Sequence, residues 1–243
     1  MSPRLVLLAA LLLPGCAPTA PPLEVALVDI PAGVARYQLP GAAAATEERL
    51  AGFSIMRRQV SQADYAACVA AQACSALDTV GAAPDLPAVG LSWLDASAYA
   101  RWLSQRRGER YRLPRYGEWM LAAGSAYVEE APIVDDPGDP ARRWLAEYDR
   151  EARRGVASAE LKRFGEQGRS STGLLDAAGN VWEWTDSCFG QPGLAVGEGF
   201  CGIRVAAGRH ASGLSDFVRD PVGGACSVGR PPTHLGLRLV REG

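Results

Sequence analysis

Between Asp176 and Glu183 the chain sets two carboxylates around a Gly179-Asn180 turn. The carboxylates of Asp176 and Glu183, with the carbonyls of Gly179 and Val181 turned inward, offer only oxygen donors, which suits a hard cation such as calcium. Calcium takes about six to eight oxygens, so water or other segments have to complete the shell. The same residues also form an ordinary turn, with Glu183 solvated or salt-bridged. Spacing alone leaves both readings open.

Other chemistries find less support. The two histidines, His210 and His234, fall in no metal-spaced cluster, which excludes a HExxH zinc site. Ser215, Asp216 and His234 contain the residue types of a triad, but no glycine-flanked nucleophile elbow surrounds the serine. Gly197-Glu-Gly199 and Gly223-Gly224 lack a following lysine and a strand-turn-helix context, so they read as turns rather than phosphate cradles. Among the cysteines, Cys226 stands alone, near Arg219 and Arg230. A positive neighbour could make it a nucleophile, while a buried inert thiol is the plainer reading.

The elements that must position these residues follow from periodicity. Trp182 and Trp184 alternate with Val181, Glu183 and Thr185, so a strand here puts both indoles on a core face and Glu183 on the other. Val25 to Pro31, Phe53 to Met56, Gly202 to Ala206 and Leu235 to Val240 also read as strands. Ser61 and Ser92, each with an aspartate three residues on, read as helix caps. The helix after Ser92 carries Ala96, Tyr99, Ala100 and Leu103 at helical spacing and stops at Gly108. A third helix runs from Pro114 to Gly124 with Gly117 inside it, at a cost of roughly 1 kcal/mol relative to alanine. The charged stretch from Glu129 to Ser170 predicts a helix starting at Asp139-Pro140 and a second at Ser158, on a solvated insertion.

The 243 residues are 48% hydrophobic, with 27 glycines and 17 prolines, which predicts a single loop-rich domain. A formal charge of -2 and the absence of a basic stripe exclude a nucleic-acid partner. At the N-terminus, Arg4 precedes an apolar run from Leu5 to Leu13 that ends in Pro14-Gly15-Cys16. The run is too short to span a bilayer and resembles a bacterial lipoprotein signal. The expected organisation is a signal peptide over 1–15, a tether over 16–24 lipidated at Cys16, and a domain over 25–243. That places the protein in the bacterial cell envelope, held on the membrane by its lipid and facing the periplasm or the cell surface. In an oxidising compartment Cys68 with Cys74 and Cys188 with Cys201 can close short loops, each stabilising by about 2 to 3 kcal/mol. That leaves Cys226 over, although a longer-range partner for it stays open.

Taken in order, Ile30-Pro-Ala-Gly33, Pro87-Ala-Val-Gly-Leu-Ser-Trp93, Ala98-Tyr-Ala-Arg-Trp-Leu103, Tyr111-Arg-Leu-Pro-Arg-Tyr-Gly-Glu-Trp119, Gly179-Asn-Val-Trp-Glu-Trp184, Arg204-Val205 and Gly236-Leu-Arg-Leu-Val240 resemble the formylglycine-generating enzyme, or sulfatase-modifying factor, family. The resemblance implies an α+β, loop-rich fold related to C-type lectins. It implies a structural calcium site at Asp176, Gly179, Val181 and Glu183, and paired cysteines at the two places named above. Family oxidases carry a copper-binding cysteine pair after an Arg-Val-x-x-Gly-Gly-Ser segment. The corresponding Arg204-Val-Ala-Ala-Gly-Arg-His-Ala-Ser212 has no cysteine, so copper is not expected. Leu113-Pro-Arg-Tyr116 also replaces the family's Leu-Pro-Thr-Glu cap. The resemblance therefore implies a non-oxidase binding or assembly module with an envelope protein or peptide as partner. The competing expectation is an oxidase or peptide-maturation enzyme acting on exported proteins, with Cys226 as its thiol.

Overall fold

Among the described residues, the helices and the ten strands follow the sequence rules closely at some points and depart from them at others. The computed structural model describes residues 25–42, 44–77, 83–127, 160–177, 179–191, 199–221 and 233–243, with positions 141, 142, 145, 146, 149 and 153 in helix. The insertion helix expected from Asp139 agrees with those positions, while Trp144, Tyr148, Ser158, Cys16 and Cys226 lie outside the described residues.

Helix α1 (Gln62–Ala70) and helix α2 (Trp93–Arg107) begin as the serines predict. Ser61 and Ser92 accept from the amides of Asp64 and Asp95, whose carboxylates accept back from the serine amides, so two donors are satisfied at each start. Gly108 ends α2 at φ 68°, a left-handed conformation that only a residue without a Cβ adopts at no cost. The third helix, α3 (Tyr116–Ala123), starts later than expected, because Pro114 stays outside and Arg115 is the cap. Glu118 replaces the lost hydroxyl: it accepts from the Arg115 amide at 2.8 Å and takes a two-pronged contact from Arg112. Gly117 has a packing reason. A Cβ there would lie 2.6 Å from Glu48 Oε2 and 2.8 Å from the Tyr37 ring.

Those contacts belong to a hairpin the sequence reading missed, β2 (Gly33–Tyr37) with β3 (Thr46–Leu50). A four-stranded sheet has the order β1-β4-β10-β5, from β1 (Leu27–Ile30), β4 (Phe53–Met56), β5 (Tyr111–Arg112) and β10 (Val240–Arg241). A second has the order β8-β7-β6-β9, from β6 (Trp182–Cys188), β7 (Ile203–Ala207), β8 (Ser212–Ser215) and β9 (Leu235–Gly236). The expected strand from Leu235 to Val240 is thus split between the two sheets. Leu237, Arg238 and Leu239 form the crossing, and the carbonyls of Leu237 and Leu239 accept from the amides of Val60 and Met56.

Strand β6 lies between two cores. Trp182, Trp184 and Ala206 join the core under α1 and α2, which includes Tyr65, Tyr99 and Leu103. Val205 and Ala207 point the other way, into the core around Trp119, Tyr116 and Tyr37. The expectation of one core face is corrected here: Glu183 and Thr185, on the opposite face from the tryptophans, are fully buried as well, because α3 covers them.

Candidate functional site

Strand β6 carries two carboxylates into the interior, and their surroundings differ. Glu183 is regular in register, opposite Ala207 of β7 and Gly236 of β9. Its Oε1 accepts from Gln59 Nε2 at 2.7 Å and Arg238 Nη2 at 2.8 Å, and its Oε2 from Trp119 Nε1 at 2.8 Å and Arg238 Nε at 2.9 Å. Four donors fill the roughly four acceptor positions of a carboxylate. Arg238 is equally complete: beyond Glu183 it donates to the carbonyls of Met56, Arg57 and Leu175. Both side chains are 0% exposed. This is the salt-bridged reading of Glu183.

Asp176, at φ 55°, accepts from the amides of Gly165 and Gln167 at 2.7 and 2.8 Å. Burial pushes its carboxyl up, an effect those two amides and Arg238 oppose. The Gly179 carbonyl accepts from the Val181 amide at 2.8 Å, and the Asn180 side chain is tied to the Lys162 backbone in both directions. The chain thus brings the four expected residues together, with hydrogen-bond donors aimed at both carboxylates and at the Gly179 carbonyl. Among the described residues no group of three or more histidines, cysteines or acids is placed to hold a metal. Glu183 has no lone pair left for a cation, whereas calcium takes about six to eight oxygens.

Three residues further on, β6 is irregular. From Trp184↔Ala206 to Cys188↔Arg204 it advances four positions while β7 advances two, and the excess re-aims Asp186. The Asp186 amide donates to the Pro114 carbonyl instead of to the ladder. Its carboxylate takes one contact from Arg204 Nη1, at 3.0 Å, and the same nitrogen donates to the Asp186 carbonyl at 3.1 Å. Arg204 Nε is buried and has no hydrogen-bond partner among the described residues. Trp93 lies over the guanidinium, 4.1 Å from carbon to ring centre, with its own Nε1 held by the Thr185 carbonyl. Burial pushes Asp186 up to about 6, with the Arg204 and Arg112 charges opposing, and burial also lowers Arg204. Here the cost of leaving water exceeds what the partners return. Leu94 and Ile203, the chain neighbours of Trp93 and Arg204, are exposed at 51% and 46%, and Phe217 follows Asp216, whose carbonyl accepts from the Leu94 amide. Sequence reasoning passed over Asp186, which follows Glu183 and Thr185 in a strand whose polar residues carry no mark of the slip in register.

The segment expected to lack the oxidase thiols is β7, the turn over Gly208 to His210, and β8. Trp182 donates from Nε1 to the His210 carbonyl at 3.1 Å and its ring meets the His210 ring at 5.3 Å. A Cβ on Gly208 would lie 2.8 Å from that indole, so the turn is pressed onto the core by a glycine. All four described cysteines are bridged, Cys68 with Cys74 and Cys188 with Cys201, at Cα separations of 5.4 and 5.8 Å.

Residues 17–243 match the model of the sulfatase-modifying factor enzyme 1-like domain. The formylglycine-generating enzyme of Streptomyces coelicolor is 33% identical over 114 residues, 44% of this chain and 33% of the enzyme. The inactive C-alpha-formylglycine-generating enzyme 2 of Bos taurus is 28% identical over 169 residues, 62% of this chain and 54% of that protein. The chain therefore spans a third to about half of these curated relatives. PvdO from Pseudomonas aeruginosa superposes with a TM-score of 0.60 at 21% identity, over 89% of this chain and 94% of PvdO. CarF superposes at 0.55 and 18%, over 90% and 98%. These two likenesses establish a shared loop-rich fold of helices and strands. The chain belongs to the family of the sulfatase-modifying factor enzyme 1-like domain.

Proposed function

We propose that this protein is an envelope lipoprotein, held on the membrane through a lipid on Cys16, whose sulfatase-modifying-factor-like domain binds or assembles with an exported protein or peptide and performs no cysteine oxidation. The observation that carries this reading is the turn between β7 and β8. Copper(I) in an oxidase of this family needs a thiolate pair, and here the backbone carries Arg209, His210 and Ala211 under Trp182, with no cysteine from Arg204 to Ser212. A relative named as inactive is in keeping with it. The test is to purify the full chain from an oxidising compartment, load it with copper, and offer a cysteine peptide. The expected result is neither stoichiometric copper nor turnover; both together would overturn the reading. Fatty-acid labelling that a Cys16→Ala variant loses checks the anchor.

Relatives named as formylglycine-generating enzymes favour a second reading, a peptide-maturation enzyme with Cys226 as thiol. Activity on an exported peptide that Cys226→Ser abolishes would establish it, and activity unchanged by that substitution would remove Cys226 from the mechanism.

A further inference from the structure

The family resemblance calls for calcium at the turn before β6, and the side chains there are arranged for something else. A cation site presents lone pairs to a shared point. Here N–H groups occupy both positions at each oxygen of Glu183, and one of the two at each oxygen of Asp176 and at the carbonyl of Gly179. The positive charge is already inside. The Arg238 guanidinium has five N–H groups, and five contacts take them up, two to Glu183 and three to the carbonyls of Met56, Arg57 and Leu175. Those three carbonyls come from β4, the residue after it, and the loop before Asp176. The arginine therefore does what a structural cation does: it gathers oxygens from separate segments around one charge. One oxygen at the centre, Oε1 of Gln59, has no partner among the described residues. A single neutral amide oxygen falls far short of a calcium shell.

We propose that Arg238 supplies the positive charge at this centre, so that the turn and both sheets are locked together without bound calcium. The inference is independent of whether the domain binds a peptide or oxidises one, because it concerns the scaffold shared by both readings.

The full chain, stripped with a chelator, is melted with and without millimolar calcium, beside a Glu183→Gln variant treated identically. A ligand in large excess over its dissociation constant raises the melting midpoint by several degrees. The expected result is a wild-type rise of less than about one degree. A larger rise that Glu183→Gln keeps in full also upholds the proposal, because that calcium sits elsewhere. A larger rise that Glu183→Gln loses overturns it. Should Glu183→Gln fail to fold, Asp176→Asn serves the same comparison with the same outcomes, since it removes the other carboxylate.

Discussion

Two acid–arginine pairs lie three residues apart on one strand, and they are built on different principles. Glu183 and Arg238 leave no hydrogen-bonding group of either side chain without a partner. Asp186 and Arg204 share a single guanidinium nitrogen, leave Nε without a partner among the described residues, and rely on Trp93 for cover. The difference comes from register. Where β6 keeps step with β7, its side chains meet partners brought by the fold at fixed positions; where it slips, Asp186 lands beside a partner it engages only in part. A saturated pair specifies a scaffold, whereas an incompletely satisfied one with a carboxyl near pKa 6 is what binding and proton-handling sites look like.

The comparison breaks most directly at the saturated pair. Replacing Arg238 with methionine leaves a buried carboxylate facing Gln59 and Trp119 alone, and the expected loss is about 3 to 5 kcal/mol in chemical denaturation. Replacing both Arg238 and Glu183, with methionine and leucine, should recover a large part of that loss, and a double variant no better than Arg238→Met would contradict the pairing. Next in size is the pH dependence of Asp186. Its carboxyl in the folded chain titrates near 6, above the ordinary value of 3.8, so folding takes up a proton between those values. Stability accordingly falls as pH rises from about 4 to about 6, by at most about 3 kcal/mol, and Asp186→Asn should lack that fall. Denaturant titrations at several pH values compare the two. A wild-type chain that gains stability over that interval relative to Asp186→Asn would place the carboxyl below its usual range instead. The smallest effect belongs to Trp93. Removing its indole with Trp93→Leu costs about 1 kcal/mol of cation–π contact and lets water reach the pair, so the Asp186 titration followed by NMR should move down toward 4.

Local sequence chemistry was enough for some of this. Ser61 with Asp64, Ser92 with Asp95, and Gly108 mark helix ends because caps are settled within a few residues of chain. The tryptophan alternation marked β6 for the same reason. What could not be read depends on distance along the chain: Arg238 reaches Glu183 across 55 residues and Gln59 reaches it across 124. No local pattern announces such partners, so Glu183 read equally as ligand or salt bridge. The β2–β3 hairpin escaped because Thr46-Glu-Glu-Arg-Leu50 looks like a solvated charged run. Only contact with α3 through Gly117 shows which of its faces is inside. Asp186 escaped because a slip in register leaves no mark in composition.

The split of residues 235–241 between two sheets has a consequence in time. Strands β1 and β4 are made early, yet β5 reaches their sheet only through β10, and β9 closes the other side of β6. The arginine that neutralises Glu183 arrives in the same short segment. A polypeptide still being synthesised, or still being threaded through a translocation pore, holds both sheets open and Glu183 without its counter-charge until residue 241 has emerged. Folding of this domain is therefore a late, nearly all-at-once event closed by long-range contacts, and stalling the chain just short of Leu235 should leave it protease-sensitive along its whole length.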